Sequence, residues 1–369
     1  MKEHLYEHVY QDLLRRIQNG QYAYGDYLPT ENQLCEEYDV SIITVRTALE
    51  KLKESNLITK VKGKGSMVIA HIRPSASANK SVIMLKIPFP FQLLAQYPEK
   101  TFPAECFSNN NNWGSTIFGS MCQNMPSDFS ALLVLYEYDT ILNAYETTIL
   151  QSADRIVILG YYDKKLVDFL HEKGKLVVLY NYSDQTIDAS CVNTNDRGAF
   201  QKACDYLYSL GHTSIAAING NVSVHDNRER AMGYQDSVLR NGTIVARYIK
   251  WGEMTFESGY FLTNELLDTV PELTAILCVN DNVAMGALYA IQERGLRCPE
   301  DISLIGHDNN QFVNEKIPDF LSTIDPHFEL VGKKFAEMLT RNLWIEESTV
   351  FESELVLRKS VAPPRTKQL

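Results

Sequence analysis

The stretch LPTENQLCEEYDVSIITVRTALEKL, residues 28–52, decides how the N-terminal end of the chain folds. Thr30 stands three residues before Gln33, the spacing at which a hydroxyl and a side-chain amide satisfy each other's backbone N–H groups at a helix start. A helix is therefore expected from near Thr30 to about Tyr38. Asp39-Val40-Ser41 reads as a short turn, Ser41 as the next N-cap, and Val45, Leu49 and Leu52 as the buried stripe of a following helix. Two helices joined by about three residues make a helix-turn-helix. Upstream, Leu5, Val9, Leu13, Leu14 and Ile17 recur at helical spacing until Asn19-Gly20 supplies a stop. Downstream of Asn56, two β-rich runs, residues 57–61 and 66–69, flank Lys62-Gly63-Lys64-Gly65. This is a hairpin with a basic glycine tip, a wing.

A net charge of −11 argues, taken whole, against a nucleic-acid partner, whose phosphates must be met by Lys and Arg. The acidity lies beyond residue 80. Within Val40–Lys64, six cations (Arg46, Lys51, Lys53, Lys60, Lys62, Lys64) face only Glu50 and Glu54, and this is the candidate DNA footprint. A guanidinium on the second helix of such a motif can bridge two acceptors of guanine, which puts Arg46 forward. Glu31 is placed to accept from a cytosine amino group or to complement its helix dipole. Ser41 and Thr44 can bond phosphates or bases, and Lys62, Gly63 and Lys64 suit a wing tip in the minor groove.

At 369 residues, 45% hydrophobic and 22% charged, the chain is expected to fold as two or three compact units. Charged residues interrupt the first twenty positions and no run is long enough to span a bilayer, so a cytoplasmic protein is expected. Seven scattered cysteines, never two residues apart, argue against a disulfide framework or a zinc site. From Ser81, apolar runs at 81–87, 131–136, 155–159, 175–179, 214–218, 275–279 and 302–305 alternate with helical stretches. That alternation implies α/β layers with parallel sheets flanked by helices. The expected division is residues 1–70 as a winged helix, 71–80 as a Ser- and Ala-rich linker, and 81–369 as a two-lobed domain. A Pro- and Phe-rich insert, Pro88–Cys106, follows the first strand of that domain.

The ordered pattern of Gly20–Glu31, Val40–Leu52 and the Gly63-Lys64-Gly65 tip resembles the gntR-family winged helix and implies a DNA role for Arg46. Many members of that family carry Arg or Lys where this chain has Ile42, so the DNA sequence it reads should differ. Residues 190–335 resemble the LacI/GalR regulators and the periplasmic sugar-binding proteins. The likeness rests on Gly211–Ala216, Arg228–Tyr234, Asn280-Asp281 leading into Ala284–Ala287, Asp301–Asn309 and Leu321–Ile324. It implies a two-lobed periplasmic-binding-protein-like domain whose second lobe presents Arg230, Asn280 and Asp308 to a ligand cleft; Asp281 is either a fourth contact or a helix cap. Trp113, Tyr161, Tyr162 and Phe328 are candidate stacking partners for a sugar ring.

The joined pattern is similar to the arabinose-repressor group of Gram-positive bacteria. It implies a homodimeric repressor of palindromic operator DNA, controlled by a small sugar such as L-arabinose or another pentose. An oligosaccharide, phosphosugar or purine effector, or a ligand that promotes DNA binding, fits the same architecture. No G-x-S-x-G, H-E-x-x-H or Walker loop is present, so neither an enzyme nor a cofactor or metal site is expected.

Overall fold

A computed structural model describes residues 3–18, 21–23, 25–55, 57–69, 80–87, 100, 102, 113–181, 186–187, 189–241, 248–341 and 348–365. Three helices, α1 (Glu3–Gln18), α2 (Glu31–Tyr38) and α3 (Ile42–Glu54), precede an antiparallel hairpin of β1 (Ile58–Val61) and β2 (Gly65–Val68). The Thr30–Gln33 capping box is formed: Gln33 N–H donates to Thr30 Oγ1 at 3.3 Å and Thr30 N–H to Gln33 Oε1 at 2.8 Å. Asp39 ends α2 at φ 48°, and Ser41 Oγ caps α3 by accepting from Thr44 N–H at 3.3 Å. Val9, Leu13, Ile17, Leu34, Val45, Leu49 and Leu52 close one apolar core. Each such side chain contributes about 1.5–3 kcal/mol by leaving water. Gly63 and Gly65 take φ 77° and 111° at the hairpin tip, a backbone that side chains resist. The expected linker lies, except for Lys80, outside the described residues, as does the Asn19-Gly20 stop.

Two six-stranded sheets follow. The first runs β13 (Ser348–Phe351), β7 (Ser190–Thr194), β6 (Leu176–Tyr180), β5 (Arg155–Gly160), β3 (Ser81–Ile87), β4 (Ser130–Leu135), all parallel. The second runs β14 (Glu354–Val356), β12 (Ser322–Asp325), β11 (Ser303–His307), β10 (Ala275–Cys278), β8 (Ile215–Asn219), β9 (Ile249–Trp251), with β14 antiparallel. Helices α4 (Trp113–Asn124), α5 (Tyr138–Asn143) and α6 (Lys164–Glu172) clothe the first sheet. The second carries α7 (Asp196–Ser209), α8 (His225–Asn241), α9 (Phe256–Thr269), α10 (Asp281–Glu293) and α11 (Gln311–Lys316).

The lobes are not consecutive halves of the chain. Helix α12 (Phe328–Thr340) buries Phe328, Val331, Phe335 and Leu339 in the first lobe's core. The chain therefore crosses between lobes three times: after β7, after β12 and after β13. The physical reason is apolar: the buried stripe of α12 matches the face left open by α4, and Gly332 lets the two backbones meet, a Cβ there falling 2.3 Å from the Ile117 carbonyl oxygen.

Of the insert, only Lys100 and Phe102 are described up to residue 102, and both touch the other lobe. Phe102 packs edge-on against Phe256 at 5.2 Å and Tyr260 at 5.0 Å, and Lys100 pairs with Glu293 of α10 at 2.8 Å.

Candidate functional site

The carboxyl ends of the two sheets face each other across a cavity of about 300 Å³. From the first lobe come Trp113, Tyr161, Tyr162, Asp163, Tyr180, Asn181 and Phe328; from the second, Asp226, Asn227, Arg228, Arg230 and Asp308. All four aromatic candidates are thus brought together on one side. Trp113 lies between Tyr180 and Phe328, at 5.6 and 6.1 Å with interplanar angles of 31° and 33°, so the wall presents broad ring faces. Tyr162 is held by donating its hydroxyl to the carbonyls of Tyr180 and Asn181, each at 3.0 Å.

Arg230 lies within α8, on the inward stripe Asn227–Arg230–Ala231–Tyr234. Gly233 lets α8 approach α7 so closely that a Cβ would fall 2.1 Å from the Arg197 carbonyl oxygen. That packing carries the guanidinium into the interior, where it is 7% exposed. Its Nε meets Asp196 at 3.3 Å and its Nη1 donates to the Val279 carbonyl at 2.9 Å. No bond to Nη2 is made among the described residues, which leaves that end of the fork toward the cavity. Burial opposes the charge of Arg230, but Asp196, Asp308 and Asp226 outweigh it and raise its pKa. Burial likewise works to raise the Asp196 carboxyl, yet Arg230 and then His307 hold it down to about 2.

Asp308 sits at φ 98° just past β11, a conformation few non-glycine residues adopt. His307 Nδ1–H donates to its carboxylate at 2.8 Å, while Nε2 lies 3.4 Å from Asp196, a charge contact too misaligned for a hydrogen bond. Burial and Arg230 disfavour the imidazolium, but Asp196 and Asp308 prevail and raise the His307 pKa. The floor is therefore a chain of alternating charge, Arg230–Asp196–His307–Asp308. Asp226, at the start of α8, is pushed up to about 6 by burial and then by the nearby charge of Asp196.

The other two sensor candidates do not reach the cavity. Asn280 caps α10, accepting from Val283 N–H at 2.9 Å and donating to the Met254 carbonyl at 3.2 Å, which occupies both ends of its amide. Asp281 is buried behind it and accepts from Thr323 Oγ1 and Asn310 N–H, each at 2.7 Å. Burial pushes its carboxyl up to about 7. Asp281 thereby ties the loop after β11, which follows Asp308, to Thr323 of β12. The sequence reading missed Asp196, Asp226, Asn227 and His307; Asp226 and Asn227 precede Arg230 by four and three residues, the spacing of one helix face, which is the signal that would have found them.

In the N-terminal unit, Arg46 and Glu31 are brought together, but on each other: Arg46 Nε meets Glu31 Oε2 at 2.7 Å, and Lys60 adds a contact at 3.4 Å. The pairing with Arg46 lowers the Glu31 pKa despite some burial. Arg46 remains 58% exposed on its side chain. Ser41 and Thr44 share a hydroxyl contact of 2.9 Å at the same helix end. Lys62, Gly63 and Lys64 are exposed at the hairpin tip. Among the described residues, no three His, Cys, Asp or Glu cluster to hold a metal ion, and no helix is long and apolar enough to cross a membrane.

Two family models match this chain: bacterial regulatory proteins, gntR family, over residues 5–68, and the periplasmic binding protein-like domain over residues 204–361. The HTH-type transcriptional regulator CelR of Thermobifida fusca is 28% identical over 57% of this chain and 64% of its own. The HTH-type transcriptional repressor PurR of Pasteurella multocida is 32% identical over 60% of this chain and 69% of its own. The chain thus spans about two thirds of the length of these relatives, which are named as regulators and repressors of transcription, not enzymes. A putative LacI transcriptional regulator from Bacillus cereus subsp. cytotoxis superposes with a TM-score of 0.65 at 21% identity, covering 78% of this chain and 99% of that one.

Proposed function

Because the chain belongs to the HTH-type bacterial transcription regulators that carry a LacI-type periplasmic-binding-protein-like domain, here joined to a gntR-family DNA-binding domain, we propose that it is a sugar-controlled, dimeric repressor of palindromic operator DNA. The single observation that carries the effector half is the interlobe cavity, in which Arg230 and Asp308 face a wall of aromatic rings. A sugar must recover, on binding, the hydrogen bonds its hydroxyls made to water. Arg230 Nη2 offers a donor, Asp308 and Asp226 offer acceptors, and Trp113 with Phe328 offers apolar faces to the ring C–H groups.

A volume near 300 Å³ is at the small end of ligand sites, which favours one monosaccharide, a pentose such as L-arabinose, over an oligosaccharide. In the DNA-binding half, α3 and the basic hairpin tip supply the groove-reading and phosphate-binding elements, and a two-fold pairing of such units suits a palindrome. Such a protein works in the cytoplasm, where its operator is.

Ligand closure of the cleft couples to operator affinity because the two lobes are joined by three chain crossings that must move together. The test is an operator titration by fluorescence anisotropy with and without the sugar that most raises thermal stability in a monosaccharide screen. A reciprocal coupling of about 1–3 kcal/mol is expected, with sugar weakening DNA binding. Asp308→Asn keeps the shape at φ 98° but removes the charge, and is expected to lose most of the sugar effect. A saturating sugar that leaves operator affinity unchanged refutes the sensor assignment.

A further inference from the structure

The outward stripe of α3 is Ile43, Arg46, Thr47 and Glu50, spaced as one helix face. Three of these are polar or charged. Ile43 is the exception: it is 73% exposed, the most exposed of the large apolar side chains, and Ile42 beside it is 38% exposed. Neither serves the core, which α3 supplies from its other side with Val45, Ala48, Leu49 and Leu52. A β-branched residue in water at a helix start also contributes little to helix formation. Folding therefore gives no reason for isoleucine at position 43.

What surrounds Ile43 does give one. It shares an open groove with Arg46, Thr47, Glu50, Lys51, Glu54 and Lys60, and it stands between Ser41 and Thr44, whose hydroxyls meet at the start of the helix. Its own carbonyl accepts from Thr47 Oγ1 at 2.9 Å, which fixes the turn that presents it. An apolar group in a groove where three cations, Arg46, Lys51 and Lys60, outnumber two carboxylates, Glu50 and Glu54, matches a surface that is anionic at its rim and carries isolated methyl groups within. The major groove of DNA has that chemistry, because thymine alone places a C5-methyl there.

The geometry points to Ile43 as a specificity-determining residue that reads a thymine methyl in each operator half-site, with Arg46 beside it reading a hydrogen-bonding base edge. The inference rests on the proposed DNA-binding role of α3. Reading by methyl contact has a distinct signature: it depends on a group that makes no hydrogen bond and carries no charge. It is therefore lost when thymine becomes deoxyuridine, which keeps every donor and acceptor, and it leaves the salt dependence of binding untouched.

The experiment uses the full chain. A duplex is selected from a random library, and each thymine of one half-site and its symmetry mate is replaced in turn by deoxyuridine. Wild type is expected to lose about three- to fourfold in affinity per lost methyl contact, at one or two positions per half-site. Ile43→Ala is expected to bind the thymine duplex more weakly by a similar factor, with an unchanged salt slope, and to ignore the replacement at the position it reads. Ile43→Val, which keeps the branched contact, should retain the discrimination. A specific duplex in which no thymine methyl matters, or a methyl dependence that survives Ile43→Ala, overturns the inference alone. Failure to select any specific DNA overturns the DNA-binding reading on which it rests.

Discussion

Replacing Arg230 with alanine tests the charge chain under the cavity, and the structure sets both the size and the pH dependence of the effect. Asp196 is held down to about 2 against an ordinary 3.8. Its ionised form is therefore favoured in the fold by a few kcal/mol, at about 1.36 kcal/mol per pH unit. Stability from a lowered carboxyl is present above pH 3.8 and lost as the pH falls toward 2. Removing Arg230 leaves Asp196 buried opposite only His307, so burial then raises its pKa and reverses the sign. The variant should lose stability as the pH climbs above about 4, and Asp226, which Arg230 also holds down, adds in the same direction. Losing the donor to the Val279 carbonyl costs about 1 kcal/mol more. The expected deficit at pH 7 is about 3–4 kcal/mol, within the about 3–5 kcal/mol typical of breaking a buried ion pair. Urea unfolding at pH 4.5, 5.5 and 7, followed by tryptophan fluorescence, measures it. A deficit under about 1 kcal/mol at pH 7, or one that shrinks as the pH rises, refutes the network. Arg230→Ala is consequently a poor probe of ligand binding by itself, which is why Asp308→Asn serves in the operator titration.

Phe102→Ala removes a ring that is 5% exposed and edge-packed on Phe256 and Tyr260 of the second lobe. About 3 kcal/mol of stability should be lost in the urea transition, and a loss under about 1 kcal/mol would mean the insert does not anchor there in solution. Lys64→Ala at the hairpin tip should weaken operator binding and reduce the slope of log affinity against log salt by about 0.9 if its ammonium neutralises one phosphate. An unchanged slope would remove the wing from the DNA interface.

The helix boundaries of the N-terminal unit were legible because their signals are local. Thr30 with Gln33, and Ser41 before an apolar stripe, specify helix starts whatever the rest of the chain does. The buried strands β3, β5, β6 and β10 were legible as apolar runs, whereas β7, β9, β13 and β14 were not. Ser190–Thr194 is mostly polar, Ile249–Trp251 is three residues long, and β13 and β14 acquire their identity only by pairing with strands distant in the chain. The same distinction explains the lobe boundary. An amphipathic α12 can be read from sequence, but which sheet it covers depends on the stripe that α4 leaves open.

At the site, Arg230 and Asp308 were found through motif resemblance, which carries positions without their surroundings. Asn280 and Asp281 belong to the same set of motifs, and both are spent on holding the chain: one caps α10, the other accepts from the loop after β11. A motif therefore mixes residues that reach the cavity with residues that hold the chain, and only hydrogen-bond accounting separates the two. That accounting also brings in residues no motif flagged. Arg230 is buried, and a buried guanidinium needs a buried carboxylate, so Asp196 was required in kind although not in position. Its place, the first residue of α7 just after the first crossing between lobes, sets the charge under the cavity at that crossing. Under the proposed function, a ligand that completes the hydrogen bonding of Arg230 acts on a group tied through Asp196 to that crossing.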